Sequence, residues 1–296
     1  MTKATIDNST ISANHWQELL RGYEQRIAPL INSFRQRRRR SQSHPIHDFL
    51  FVYYRLAPAK LLQWHPGVGI RLERGQQALP TWFKRKHYEI SDRQVVCNPS
   101  LLDQKQSQRL EFIRDLLAST QSRKPNFACF GMHEWAMVYR GSEVRHEGTT
   151  PLRLSQSEID RIVETRPIFC SHFDAFRFFA IDAKPLNRLQ PTLDQRVELE
   201  QPGCIHANMD LYKWAFKSMP WVGSQLLEDC FQLAMAAREM DMRASPYDLS
   251  AYGEYPPIRV DTAEGRQQYE QLQRDIHDRA LRLRHRLIEK LNEILK

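Results

Sequence analysis

Gly203-Cys204-Ile205-His206-Ala207-Asn208-Met209-Asp210-Leu211-Tyr212-Lys213-Trp214-Ala215-Phe216-Lys217 is the stretch on which the reading of this chain turns. Entered from Pro202-Gly203, it reads as a helix. Positions three and four apart are neighbours on a helix surface, so His206, Asp210, Lys213 and Trp214 share one face. An imidazole, a carboxylate, an ammonium and a large aromatic side by side are too polar for plain core. They are the ingredients of a site.

The pattern recurs. The chain also reads His47-Asp48-Phe49-Leu50-Phe51-Val52-Tyr53-Tyr54-Arg55, His133-Glu134-Trp135-Ala136-Met137-Val138-Tyr139-Arg140 and His172-Phe173-Asp174-Ala175-Phe176-Arg177-Phe178-Phe179. Each opens on a histidine with a nearby carboxylate, runs into an aromatic-rich apolar stretch and carries a basic residue in that stretch or at its end. Cys129, Cys170 and Cys204 each stand two to four positions before a histidine. The expectation is that the four segments pack as buried helices with their His/carboxylate ends converging on one pocket. A core has no use for four imidazoles and four carboxylates, because burying such groups costs free energy unless each finds a partner.

Working outward, residues 13–34 place Trp16, Leu19, Leu20, Tyr23, Ile27, Leu30 and Ile31 at a helical period, which predicts an amphipathic helix. An arginine run, Arg35, Arg37, Arg38, Arg39 and Arg40, follows it. This is either a phosphate-contacting strip or a solvated linker. Residues 1–43 are therefore read as an N-terminal helix with an arginine-rich linker, and residues 44–296 as a main helical domain.

Within that domain, residues 46–56 predict a helix apolar on nearly every side, and hence buried. Residues 70–98 hold short β-prone pieces, including Ile70-Arg71-Leu72, residues 82–88 and Gln94-Val95-Val96-Cys97, with turn residues between them. Helices are expected over 101–117 and 226–240. Another opens after Ser155, whose glutamate three positions on, Glu158, is a capping-box signature. A last helix runs from Thr262 towards 295, with Arg279, Arg282, Arg284 and Arg286 expected on a solvated or phosphate-facing side. The fold class is mainly α, a single helical domain with a small β-containing insertion around 70–98.

Composition narrows the function classes. The 296 residues are 41% hydrophobic and 26% charged, ordinary for a globular protein. No window approaches the roughly 18 apolar residues of a membrane span, and the first fifteen residues lack an apolar secretory core, so a cytoplasmic address is expected. Five cysteines, widely spaced and without C-x-x-C, argue against a disulfide framework or a thiolate zinc site. The net charge of +8 favours anionic partners.

Three chemistries fit the His/carboxylate face. Helical histidines and carboxylates build metal sites. This chain has one Glu-x-x-His, Glu143 to His146, besides His-x-x-x-Asp and His-x-Asp spacings, and a mononuclear site from His133, His172 and His206 is open. Base-excision chemistry needs a basic surface, aromatic faces for a flipped base and a carboxylate. Trp135, Tyr212 and Trp214 supply the faces, and Asp210, Asp174 or Glu134 the carboxylate. A third reading is a non-catalytic protein that binds a nucleobase-like ligand. The turn His65-Pro66-Gly67-Val68-Gly69 resembles the hairpin of helix-hairpin-helix DNA-binding proteins over four residues, without the apolar helix that should follow.

A longer resemblance rests on His44-Pro45 with Asp48-Phe49-Leu50, Trp64-His65-Pro66-Gly67, Phe130-Gly131-Met132-His133-Glu134-Trp135-Ala136-Met137-Val138-Tyr139-Arg140, Cys170-Ser171-His172-Phe173-Asp174-Ala175-Phe176-Arg177-Phe178-Phe179, Glu200-Gln201-Pro202-Gly203-Cys204-Ile205-His206-Ala207 and Ala244-Ser245-Pro246-Tyr247-Asp248-Leu249. Together these look like a bacterial family whose members commonly carry the label 3-methyladenine DNA glycosylase. The resemblance spans almost everything after residue 43 and carries over no catalytic residue.

The function expected from the sequence is accordingly hydrolysis of an N-glycosidic bond in a damaged DNA base or related nucleobase compound. Asp210, His206, His172, Asp174, His133 and Glu134 are the candidate catalytic groups. Trp214, Trp135, Tyr212, Lys213, Arg140, Arg177, His47 and Asp48 are the candidate substrate contacts. The expected partner is DNA or a nucleobase-containing small molecule, with no cofactor expected and a metal ion left open. The competing expectation is a metal-dependent oxidase or hydrolase that uses His133, Glu134, His172, Asp174, His206 and Asp210 as ligands.

Overall fold

Every residue from Ile205 to Ala215 is buried, so the helix they form can only lie at the centre. A computed structural model describes residues 10–84, 86–141 and 150–296. The α-helices are α1 (Ala13–Arg39), α2 (Phe49–Tyr53), α3 (Pro58–Leu61), α4 (Gln104–Ser122), α5 (Met132–Met137), α6 (Gln156–Thr165), α7 (Phe173–Phe176), α8 (Arg196–Leu199), α9 (Ile205–Lys217), α10 (Ser224–Ala244) and α11 (Ala263–Ile294). The central α9 packs against α10 and α11, and α4 closes on α11 and α8. The fold is mainly α, as the sequence predicts.

The β-prone insertion forms most of a small sheet of order β1-β2-β4-β3, from β1 (Thr10–Ile11), β2 (Arg71–Glu73), β3 (Tyr88–Ile90) and β4 (Gln94–Cys97). Its first strand comes from before α1 and lies parallel to β2, Thr10 against Arg71. The other pairs are antiparallel.

Several helices begin where their chemistry predicts. Ser155 and Glu158 close a capping box on α6, and Thr262 caps α11 through Gly265 N–H. The helix expected from 101 starts later. Residues 99–101 make a 3₁₀ turn, and α4 opens after Asp103, which with Gln106 forms a second capping box. Among its described residues, the piece expected over 82–88 is a strand only at its last, Tyr88, where β3 begins. Pro80 initiates a turn, with Phe83 N–H donating to its carbonyl at 3.0 Å, and a 3₁₀ helix covers 81–84 before β3 begins.

The four similar segments differ most from expectation, since α9 is the one full-length helix among them. The helix expected over 46–56 is only α2. Arg55 has a left-handed φ of 51°, and Pro58 holds Ala57 in an extended conformation. The segment at 133 ends after α5, because Arg140 turns left-handed at φ 57°. The segment at 172 makes the single turn of α7. Phenylalanine has modest helix propensity.

α1 is stitched to the body along its length. Trp16, Tyr23, Ile27 and Ile31 are buried, Trp16 stacks on Trp64 at 6.3 Å, and Tyr23 O–H donates to the Leu61 carbonyl at 2.6 Å. Arg26 binds both oxygens of the buried Glu228 at 2.6 and 2.8 Å. The arginine run continues the helix instead of forming a linker. Arg37 pairs with buried Asp48 while Arg35, Arg38, Arg39 and Arg40 are exposed.

The Pro-Gly-Val-Gly turn at 66–69 is an internal brace. Val68 N–H donates to the Trp221 carbonyl at 2.8 Å and Ser224 N–H to the His65 carbonyl at 2.9 Å. Gly67, at φ 89°, lies so close to Gly223 that a Cβ there would sit 3.1 Å from that residue's Cα.

Candidate metal centre

His206 stands one residue into α9, and α9 presents Asp210 and Lys213 along the same face, as its spacing dictates. α5 delivers His133 beside it, with ring centroids 4.5 Å apart, and the residue before α7 delivers His172, 5.5 Å away. All three imidazoles are buried. Three of the four expected histidines therefore meet. His47 does not: it is exposed, accepts no contact from the others and lies against Tyr255, its Nε2 3.1 Å from the phenol oxygen. Its neighbour Asp48 is tied to Arg37. The fourth segment reaches the cluster through Tyr54 instead, whose O–H donates to Asp210 Oδ1 at 2.8 Å.

The cluster has two halves of different electrostatic character. Asp210, Glu200 and His172 form one, with His172 Nε2 3.3 Å from Asp210 and 3.6 Å from Glu200. Its carboxylates are already matched by protein cations. Arg196 Nε donates to Glu200 at 2.6 Å and its Nη2 to Asp210 at 3.1 Å. Lys213 Nζ donates to Asp210 as well and lies 3.4 Å from Asp174. Burial penalises a charge on Asp210, yet Lys213, His172 and Arg196 hold its carboxyl well below the usual range. Asp174 sits at the rim with the exposed Arg177, 3.3 Å away.

His133, His206 and Asp241 form the other half. Asp241 lies on α10, which no sequence expectation singled out. His133 Nε2 is 2.9 Å from Asp241 Oδ1 but out of line for a hydrogen bond, and neither that nitrogen nor either Asp241 oxygen has a hydrogen-bond partner among the described residues. Buried polar atoms are paired in the great majority of cases. The nearest cation, Arg238 NH1, stands 3.6 Å from Asp241 and spends its short contact, 2.7 Å, on Glu134. Arg238 also lies over the Phe49 ring at 3.7 Å.

Protonation follows the same division. Burial, then His133 and His172, push the pKa of His206 well below 6.5, so its imidazole is neutral. Burial works against charge on His133 too, but the Asp241 carboxylate and the Cys129 thiol outweigh it and raise its pKa. Cys129 Sγ is 3.3 Å from His133 Nδ1. The buried Cys170 and the half-buried Cys204 have thiols pushed up chiefly by desolvation.

One donor atom from each of His133, His206 and Asp241 lies within 4.8 Å of the other two. Metal–ligand bonds of about 2.0–2.2 Å keep donor atoms within ~4 Å of each other, so a shared ion requires shifts below an ångström. Two imidazoles and one carboxylate are a recurring donor set for iron and zinc. His172, Glu200 and Asp210 meet the same distance criterion, but Lys213 and Arg196 already occupy that ground.

The other sequence candidates are distributed as follows. Glu134 is buried on Arg238. Trp135 is fully buried, donates to the Ala244 carbonyl at 2.9 Å and is covered by Arg153. Tyr212 is packed edge-on to Phe231. Trp214 carries Lys213, Arg196 and Lys217 around its ring at 4.3, 5.3 and 5.3 Å. Arg140 is exposed on Asp182, away from the histidines. The Glu-x-x-His pair Glu143 and His146 lies outside the described residues. Of the arginines expected on the outer side of α11, Arg284 is instead fully buried, donates to Asn208 Oδ1 at 2.6 Å and has its pKa pulled down to about 10 by desolvation.

Sequence could have exposed the missed residues. Phe231, Ala234, Arg238 and Asp241 follow a 3-4-3 spacing that marks one helix face. Two charges on an otherwise apolar stripe are the same signal that drew attention to α9. No protein-family model, curated protein or solved structure matches the chain.

Proposed function

We propose that this chain is a metal-dependent enzyme of the oxidase or hydrolase class, with its ion held by His133, His206 and Asp241. The observation that carries the reading is a set of buried donor atoms, His133 Nε2 and both oxygens of Asp241, which among the described residues make no hydrogen bond and only the out-of-line 2.9 Å approach of His133 to Asp241, beside a neutral His206. An ion bound there supplies a Lewis acid and, if it is iron or manganese, a redox centre.

The protein's own groups have separate tasks. Cys129 beside Nδ1 orients the His133 ring so that Nε2 faces Asp241. Arg238 fixes Glu134 and limits the negative charge near Asp241 without occupying it. His172, with Asp210 3.3 Å from its Nε2, stands next to His206 as the group able to hold or pass a proton. Lys213 and Arg196 keep Asp210 ionised in that role.

Hydrolysis of an N-glycosidic bond is the second reading. It would work through Asp210, a carboxylate held anionic in a buried setting. It ranks lower because Tyr54, Lys213, Arg196 and His172 already engage both oxygens, and because Trp135 and Trp214 have their rings in the core.

The test is elemental analysis of protein purified without added metal, followed by titration of the chelator-treated protein with iron(II), manganese(II) and zinc(II). About one equivalent per chain is expected, lost in Asp241→Asn and in His206→Gln but retained in Asp210→Asn. Absence of metal and of stoichiometric uptake in folded wild type sinks the proposal. Release of free base from alkylated DNA by wild type, but not by Asp210→Asn, would put the second reading first.

A further inference from the structure

Beyond the C-terminal end of α9 lies a cleft of about 310 Å³ that the histidine cluster does not use. Four parts of the chain wall it: the end of α3, the β insertion, the first turns of α4, and the stretch leaving α9. Among the described residues its charged lining is Lys60, Arg109 and Lys217, with no aspartate or glutamate. None of the three cations is within salt-bridge distance of a carboxylate among the described residues, and all three are exposed. The one carboxylate at the mouth of α4, Asp103, is bound to Lys86 at 2.7 Å.

Like charges brought together from separate segments repel. Lys217 is affected by its cationic surroundings: burial lowers its pKa first, Lys213, Arg196 and, from the cleft itself, Arg109 lower it further, and Asp210 works the other way. A fold that gathers cations around a concavity and lines it with no carboxylate among the described residues leaves room for an anion from outside. The walls add a second requirement. Trp82 and Phe216 are half-buried and line the same space. Trp82 is held in place by its N–H, which donates to the Trp64 carbonyl at 2.8 Å. Aromatic walls with few charged groups suit a planar ring, and the volume falls at the small-ligand end of the range for binding clefts.

We infer that this cleft binds a small phosphorylated molecule with a planar ring, of mononucleotide size, with Arg109, Lys217 and Lys60 on the phosphate and Trp82 and Phe216 against the ring. The site shares no residue with the proposed metal centre, so either assignment stands or falls alone. Lys217 approaches the other region through Trp214, whose ring centroid lies 5.3 Å from its Nζ and 4.3 Å from that of Lys213.

Calorimetric titration of the intact protein with adenosine 5′-monophosphate, adenosine and inorganic phosphate tests it. The nucleotide is expected to bind saturably and at least tenfold more tightly than either fragment. Arg109→Gln and Lys217→Gln should each weaken it roughly tenfold, the scale of one charge-assisted contact, and Trp82→Leu should weaken adenosine as well as the nucleotide. Arg109 and Lys217 are exposed, so circular dichroism should be unchanged in both variants. No saturable binding of the nucleotide, or binding indifferent to Arg109→Gln and Lys217→Gln, overturns the inference. So does affinity for a single-stranded oligonucleotide without affinity for the mononucleotide, because the cations would then be serving a polymer.

Discussion

Replacing Arg238 with methionine should be among the most damaging single changes in the chain. The guanidinium is buried at 2% exposure, donates to Glu134 Oε1 at 2.7 Å and to the Pro45 carbonyl at 3.3 Å, and lies 3.6 Å from Asp241. Methionine keeps most of the stem and its contact with Phe49, so the change isolates the charge. It leaves Glu134, itself 7% exposed, without its cation. Breaking a buried pair from one side costs about 3–5 kcal/mol. With an unfolding entropy of about 2.1 cal/mol/K per residue, a chain of this length should lose roughly 5–8 °C of Tm. The assay is a double-mutant cycle by denaturant and thermal unfolding with Glu134→Gln. The double variant should recover at least ~1.5 kcal/mol relative to the sum of the singles, because removing both charges leaves less to desolvate. A cost below ~1 kcal/mol for Arg238→Met, or strictly additive singles, would refute the claim that this pair is desolvated and coupled.

Two further outcomes follow from local geometry. Gly67→Ala combines a left-handed φ of 89° with a Cβ 3.1 Å from Gly223, so a loss of ~2–3 kcal/mol is expected in urea unfolding. Gly22→Ala, whose Cβ would meet only an Arg26 side-chain atom at 3.4 Å, should be neutral or stabilising by up to ~1 kcal/mol. His44 has its pKa lowered from 6.5 to about 4, first by burial and then by His47. The unfolded chain therefore takes up this proton before the folded one does. Stability is lost as pH falls from 6.5 to about 4, by ~1 kcal/mol for a ring this exposed, and His44→Gln should flatten that slope.

α9 was legible from sequence because its information is local. A helix period, a Pro-Gly entry and polar residues recurring on one face are all contained in fifteen positions. The same holds for the caps at Ser155 and Thr262, and for β2 and β4, where a short β-prone run met a partner close in sequence. The convergence of His133, His172 and His206 was readable from their shared context, although the structure joins them through two short turns and one helix. What local reading missed depends on distance. Asp241 matters because α10 lies along α9, and Arg284 is buried because α11 crosses the same core. His47 and Asp48 carry the same motif as the others, but Arg37 claims Asp48 and turns that segment outward. Tyr54, seven residues after His47, takes the place at the cluster, a substitution that no periodicity announces.

The bidentate contact between Arg26 and Glu228 joins residues 202 apart in the chain. During synthesis at about 5–20 residues per second, α1 would leave the ribosome some 10–40 s before its acidic partner does. Through that interval Arg26 lacks Glu228, while Trp16 and Tyr23 can already meet Trp64 and Leu61 from the early segments. A circular permutant that places α1 after α11 should shorten this delay and lower the yield of aggregated chain during expression.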